Sequence, residues 1–145
     1  MSSLKKQDWI LLLLQEKPLD RIRLMKALFL IWHRSGRNIA TFYEFVPYMY
    51  GPCSFDLYRE LNLAEKDQLI SQAPHVISQW APYFLTERGS KIVSNVGKKL
   101  DRKLLNLIRS VAVEVASVGF NELLRRVYAE APDFASQSVM KEPPK

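Results

Sequence analysis

The chain has 145 residues, of which 48% are hydrophobic and 25% are charged. This composition is typical of one globular domain and excludes a disordered or fibrous chain. Because Cys53 is the one cysteine, the chain has neither an intrachain disulfide nor a cysteine cluster for zinc. The formal charge of +6 is compatible with nucleic-acid binding but does not establish it.

An apolar run at residues 9–14 follows Lys5 and Lys6 and superficially resembles a secretory signal. Its six apolar residues are too few for the apolar segment of a signal peptide, and the polar residues 15–17 end the run. No stretch approaches the roughly 20 apolar residues that a membrane-spanning helix needs. The sequence therefore predicts a cytoplasmic protein with no membrane partner.

Helical periodicity predicts two helices at the start of the chain. Apolar residues at spacings of three and four indicate a first helix over residues 7–17, which Pro18 ends. A second helix is predicted over residues 19–34, with Asp20 at its N-terminus and Gly36 as its C-terminal cap. Both helices carry an apolar stripe and are expected to face a core.

An aromatic segment separates the second helix from the third. Residues 42–50 are predicted to be extended, as an edge strand or an irregular segment, because Pro47 cannot donate to a strand ladder. The Gly-Pro pair at 51–52 is predicted to form a turn. A third helix is expected over residues 54–70, with Ser54 as its N-cap.

The second half of the chain predicts a hairpin and three more helices. Two β-prone runs, residues 76–80 and 83–86, flank an Ala-Pro pair and indicate the hairpin. The helices that follow are predicted over residues 87–96, 101–118 and 120–130.

This order of elements predicts a mainly α fold with a small β-hairpin. It is typical of a winged helix-turn-helix core with a C-terminal helical extension, in which the hairpin is the wing. We predict a single domain over residues 1–135, with its core at about 7–96 and the helical extension at 97–135. Residues 136–145 are predicted to form a disordered tail.

Several segments resemble the Panacea (SocA-like) antitoxin domain and related phage-associated proteins. Residues 19–26 (LDRIRLMK), 45–52 (FVPYMYGP) and 54–61 (SFDLYREL) carry the resemblance, and its distinctive part is the Tyr-Gly-Pro stretch. Residues 123–128 (LLRRVY), followed by Pro132, resemble a C-terminal segment of the same group. The similarity extends over roughly residues 10 to 135.

One position departs from the family pattern. A glycine commonly precedes the final Leu-Ile of the third helix, where the chain turns, whereas Gln68 occupies that place here. The resemblance implies a role in a toxin–antitoxin or phage-defence locus, in which the protein binds DNA or neutralises a partner protein.

Charge is divided unevenly along the chain. Residues 54–70 contain two basic and four acidic side chains, which disfavours this helix as a major-groove reader because phosphates repel negative charge. Residues 88–109 contain seven basic and one acidic side chain, and residues 20–37 contain five and one. Phosphate contacts are expected from these two segments and from the wing, although an ordinary solvated face is the alternative. The predicted DNA-binding residues are Ser54, Tyr58, Arg59, Arg88, Lys91, Lys98, Lys99 and Lys103.

The aromatic cluster of residues 42–50 has three interpretations. It is a protein-docking surface, a platform for unpaired bases or part of the core. Core packing is favoured for the phenylalanines, whereas tyrosine hydroxyls require water or a partner. Tyr43, Tyr48 and Tyr50 are therefore the predicted partner-binding residues.

No catalytic constellation is predicted. His33 and His75 lie in no HExxH or HxH motif, and no glycine-rich phosphate loop is present. A position at a helix start would favour the thiolate of Cys53 and hence a nucleophile, but a small packed cysteine in a turn is the favoured interpretation. We therefore predict a non-enzymatic protein without metal or cofactor. It is either a double-stranded DNA-binding regulator or an antitoxin-like module that binds a toxin or defence protein, and residues 101–118 are expected to support a homodimer.

Overall fold

The computed structural model describes residues 4–74 and 77–138. The described chain is mainly helical and contains two separate two-stranded antiparallel sheets. Its elements are α1 (Lys6–Glu16), α2 (Arg21–Arg34), β1 (Val46–Tyr48), β2 (Gly51–Cys53), α3 (Asp56–Lys66), β3 (Ile70–Gln72), β4 (Tyr83–Leu85), α4 (Glu87–Gly97), α5 (Arg102–Ser117) and α6 (Phe120–Glu130). Short 3-10 turns lie at Ser78–Trp80 and Pro132–Ala135. The predicted mainly α class with a small hairpin is confirmed, whereas most of the predicted tail lies outside the described residues.

Helix α2 lies at the centre of the fold. Its eight residues 24–31 are all buried, so neighbours cover it on every side. Asp20 caps the helix as predicted, since its carboxylate accepts from the backbone N–H of Arg23 at 2.8 Å. At the other end, Gly36 has the positive φ of 91° that was expected of a C-terminal cap.

Helix α1 packs against α2, α3, α4 and α5. The six consecutive residues 9–14 are buried, which explains why apolar side chains occur on more than one face of this helix. The apolar run at the start of the chain is therefore core. Within the described residues, no helix combines the length and apolar character that crossing a membrane requires.

The aromatic segment and the Gly-Pro pair form a hairpin rather than one strand followed by a turn. Strand β1 pairs with β2 in register Val46 to Cys53 and Tyr48 to Gly51. The predicted turn at 51–52 is therefore wrong, because the chain reverses at residues 49–50 and Gly51 and Pro52 belong to β2. Gly51 has a φ of 91°, which glycine adopts without strain.

Helix α3 is shorter than predicted at both ends. It begins at Asp56, and Ser54 does not cap it. It ends at Lys66, after which Gln68 adopts a φ of 61° and the chain continues into β3. Gln68, where the predicted family pattern has a glycine, thus adopts the left-handed conformation, and it turns the chain before Leu69 rather than extending the helix.

The second hairpin differs from the predicted one in its first strand. Strand β3 pairs with β4, in register Ile70 to Leu85 and Gln72 to Tyr83. The prediction placed the first strand at residues 76–80, of which 78–80 form a 3-10 turn and residue 76 lies outside the described residues. An isolated bridge joins Leu19, between α1 and α2, to Tyr83. This arrangement after α3 is compatible with a winged helix.

Helices α5 and α6 form one side of the core rather than an appendage. Both pack against α2, and α5 also packs against α1. Arg23 of α2 donates to the carbonyl oxygens of Val115 at 2.9 Å and Val118 at 3.0 Å, at the C-terminal end of α5. A guanidinium is favourable there because the last carbonyls of a helix have no partner within the helix.

We expect Gly89→Ala to be strongly destabilising. A Cβ at this position of α4 would lie 2.1 Å from the carbonyl oxygen of Leu69, and backbone cannot yield as a flexible side chain does. A loss of more than about 3 kcal/mol in the free energy of unfolding is expected, measured by urea denaturation. Gly97→Ala is the matched control in the same helix, since nothing lies within 4 Å of its added Cβ. Equal stability of the two variants would contradict this account.

Candidate functional site

The structure distributes the predicted DNA-binding residues of the third helix among three environments. Ser54 is 1% exposed, so the prediction that it lies nearest the bases is wrong for this conformation. Tyr58 is exposed at the mouth of a cavity. Arg59 is exposed, but it lies 3.6 Å from a carboxylate oxygen of Asp56 and 3.8 Å from one of Glu60. The acidic side chains of α3 thus surround its one arginine.

The basic residues of α4 and α5 do not form one patch. Arg88 and Lys91 border a groove that also contains Glu65 from the end of α3. Lys98 lies at the far end of α4, roughly 15 Å along the helix axis from Arg88. It borders a second groove with Arg102 and Arg109, and the predicted residues Lys99 and Lys103 are exposed in the same part of the chain.

Most of the basic residues near α2 are engaged within the protein rather than available for phosphates, contrary to expectation. Arg34 forms ion pairs with Glu114 at 2.9 Å and with Glu130, which raises the pKa of its guanidinium. Arg37 pairs with Asp133 at 3.0 Å. Together with the hydrogen bonds of Arg23 to the end of α5, these ion pairs hold α2 and the segment just after it to later parts of the chain.

The three predicted partner-binding tyrosines separate into two kinds. Tyr43 is 2% exposed, and its hydroxyl donates to the backbone oxygen of Lys6 at 2.7 Å, so its prediction as a docking residue is wrong. Tyr48 and Tyr50 are exposed on the β1–β2 hairpin. The hydroxyl of a tyrosine does not by itself indicate exposure, because one backbone acceptor satisfies it inside the protein.

A cavity of about 390 Å³ lies beneath this hairpin, and sequence reasoning did not predict it. It is built from the first half of α2, both hairpin strands, the start of α3, the 3-10 turn at Ser78–Trp80 and the start of α6. The residues that line it are Arg21, Ile22, Met25, Lys26, Tyr48, Tyr50, Gly51, Cys53, Tyr58, Gln79, Trp80 and Phe120.

Lys26 lines the cavity although it belongs to the buried centre of α2. The residue is 5% exposed, and its Nζ donates to the backbone oxygen of Pro52 at 3.2 Å. It forms no ion pair with any carboxylate in residues 4–74 and 77–138, and no acidic residue lines the cavity. Burial lowers the pKa of Lys26 to about 8, partly offset by the neighbouring Cys53. The amine is therefore still mostly charged at neutral pH.

Three further polar groups line the cavity, namely Cys53, Tyr58 and Arg21, and Cys53 is a neighbour of Lys26. Burial raises the pKa of the Cys53 thiol, and the nearby ammonium of Lys26 opposes this effect. Tyr58 lies against Cys53, and burial raises the pKa of its hydroxyl. The guanidinium of Arg21 lies 5.9 Å from the centre of the Tyr58 ring, a cation–π arrangement at the mouth of the cavity.

Aromatic rings form the walls of the cavity. The ring centres of Tyr50 and Phe120 are 5.9 Å apart, and those of Trp80 and Phe120 are 5.5 Å apart. Tyr48 stands 5.5 Å from Phe55 on the outer side. The walls thus offer ring faces and edges, while the two nearest charges are both positive.

One signal in the sequence points to this site. Lys26 is the single charged residue in the run LMKALFLI of residues 24–31, in the middle of a helix predicted to face the core. Among the described residues, no group of three or more His, Cys, Asp or Glu side chains is arranged to hold a metal ion. The main features of the cavity are the buried amine of Lys26 and the aromatic rings that surround it.

Comparisons with models of known protein families and with curated protein sequences give no match to this chain. The resemblance to the Panacea domain therefore stays a prediction that rests on the segments quoted above. What the chain binds has to be inferred from its own surface and cavity.

We expect Lys26→Met to stabilise the protein at pH 7. Methionine keeps the length of the side chain and removes a buried charge that costs on the order of 3 kcal/mol relative to the neutral amine. The folded-state pKa lies below the unfolded value, so the unfolded chain binds more protons between about pH 8 and 10.5. The contribution of Lys26 to the free energy of unfolding of the wild type therefore becomes more favourable as the pH rises across that range.

The advantage of the variant should consequently be largest at pH 7 and smaller at pH 9.5, as measured by urea unfolding at both values. Lys66→Met on exposed α3 is the control and should show no such trend. A difference between Lys26→Met and wild type that does not change with pH would contradict the assignment of a buried charged amine.

Proposed function

We propose that this chain is a non-enzymatic interaction module that binds a protein partner through the β1–β2 hairpin and the start of α3. The observation that supports this is a group of large apolar side chains that are exposed next to one another. We call it the hairpin face, and its members are Val46, Tyr48, Met49, Tyr50, Phe55 and Tyr58. Each is between 41% and 58% exposed.

Three members of the hairpin face, Tyr48, Phe55 and Tyr58, are in contact through their rings. The rings of Tyr48 and Phe55 are 5.5 Å apart and nearly perpendicular, and those of Phe55 and Tyr58 are 6.5 Å apart. Val46 and Tyr48 project from the same side of β1 because side chains alternate along a strand. A continuous exposed apolar patch of this kind is typical of a protein-binding surface.

The composition of the hairpin face also favours protein binding. Tyrosine and other aromatic side chains contribute a large contact area with few rotatable bonds, and they are enriched among residues that dominate binding energy. The acidic character of α3, which disfavours DNA, is compatible with a protein partner. The partner expected from the resemblance is a toxin or a phage-defence protein encoded nearby.

We expect Phe55→Ala to weaken binding of that partner at least tenfold, about 1.4 kcal/mol, because Phe55 is the most exposed ring of the hairpin face. Binding is measured by calorimetry between the purified chain and the products of adjacent reading frames. Phe84→Ala is the matched control, since Phe84 is an exposed phenylalanine on β4, outside the hairpin face.

Two outcomes would contradict the proposal. The proposed partner would be excluded if every neighbouring gene were harmless when expressed and none of the gene products bound this chain. Equal losses in Phe55→Ala and Phe84→Ala would remove the role of the hairpin face.

A second function, binding of duplex DNA, is supported by a separate observation. Lys98 and Arg102 border one groove at the junction of α4 and α5 together with Arg109, which lies 3.4 Å from a carboxylate oxygen of Glu16, and the only acidic residue in the segment 88–109 is Asp101. The carboxylate of Asp101 accepts from the backbone N–H of Leu104, so it serves as the cap of α5. In this proposal phosphates contact the junction, and α3 does not read bases.

Random-sequence duplex binding, followed by fluorescence anisotropy from low to physiological salt, tests this second function. The Lys98→Glu, Lys99→Glu double variant is expected to weaken binding and to reduce the slope of log affinity against log salt by about 2. A Lys17→Glu, Lys66→Glu variant makes the same charge change on α1 and α3 and is the control. Absence of binding at low salt, or equal effects of both variants, would exclude it.

A further inference from the structure

We infer that the cavity beneath the hairpin face is a binding site for a molecule that combines a carboxylate with a flat apolar body. The inference rests on three features of the cavity: a buried amine without a counter-ion, walls of aromatic rings and a size suited to a small ligand. None of these features depends on the proposal that a protein binds the hairpin face.

The first feature is the charge of the cavity. Lys26 is buried and gives one hydrogen bond, to Pro52, so its ammonium has two further donors. A buried charge is costly unless it is paired. Because Arg21 is the other charged residue in the lining, and no acidic residue occurs there, the missing partner is an anion.

The second feature is the shape of the walls. Tyr50, Trp80 and Phe120 form successive edge-to-face contacts, and Ile22 and Met25 add apolar surface from α2. A flat ring is the body that stacks best among such walls. The volume of about 390 Å³ lies in the range of small-molecule sites.

These features also indicate which kind of anion the cavity binds. Phosphate groups are usually held by several donors at once, with backbone N–H groups of a helix N-terminus or a glycine-rich loop among them. The buried part of the lining instead offers one ammonium flanked by a thiol and aromatic side chains, while the guanidinium of Arg21 lies at the mouth over the Tyr58 ring. One ammonium with two free donors matches a single carboxylate, so a carboxylate is favoured over a phosphate.

The test uses indole-3-acetate and its neutral analogue indole-3-acetamide, titrated into the full chain by calorimetry at pH 7. The acid should bind at least tenfold more tightly than the amide. Lys26→Met should abolish this preference, whereas Lys66→Met, which removes an exposed lysine of α3, should preserve it.

A second arm identifies the natural source of the carboxylate. A short peptide that ends in tryptophan is compared with its C-terminally amidated form. A peptide that binds more tightly than indole-3-acetate, and only with a free carboxylate, assigns the cavity to the C-terminus of a protein. A peptide that binds more weakly assigns it to a free small molecule.

Three results would overturn the inference. They are equal affinity of the wild type for acid and amide, an acid preference that survives in Lys26→Met, and absence of binding at millimolar ligand. The comparison of acid with amide needs no variant, so it decides the matter even where Lys26→Met does not fold.

Discussion

The enclosure of α2 is the constraint on which the rest of the structure depends. Eight consecutive buried residues exceed two helical turns, so every face of the helix is covered at that level. Helices α1, α5 and α6, strand β2 and the 3-10 turn at Ser78–Trp80 supply the cover. Every residue of this run is buried, and this includes the charged residue Lys26.

The cations of α2 therefore differ in what balances them. Arg23, Arg34 and Arg37 lie near the ends of the helix or just after it, and each has a carboxylate partner. The pairs of Arg34 and Arg37 join this part of the chain to Glu114 and Asp133, whereas the pair of Arg23 with Asp20 is local to the start of α2, so all three have structural roles. Lys26 lies between them in the sequence. Its Nζ donates to the carbonyl oxygen of Pro52, and the side chain lines the cavity. The contrast separates a residue that holds the fold from one that is available for a ligand.

Sequence patterns predicted the helices better than the short strands. The cap at Asp20 was predicted correctly because its side chain bonds to an amide three residues away in the sequence. The hairpin β1–β2 was missed because its three-residue strands depend on pairing, and Pro47 and Pro52 argue against it locally. The cavity was not predictable, since Lys26, Tyr50, Trp80 and Phe120 come from distant segments that only the packing brings together.

The cavity and the hairpin face share Tyr48, Tyr50 and Tyr58, so their occupants are not independent. These rings face solvent on one side and the enclosed volume on the other. A ligand that orders them before a protein docks lowers the entropic cost of docking, whereas one that displaces them raises it. By thermodynamic linkage, the partner changes the affinity for the ligand by the same factor. Binding of a ligand at Lys26 is therefore expected to change the affinity of the hairpin face for its proposed protein partner.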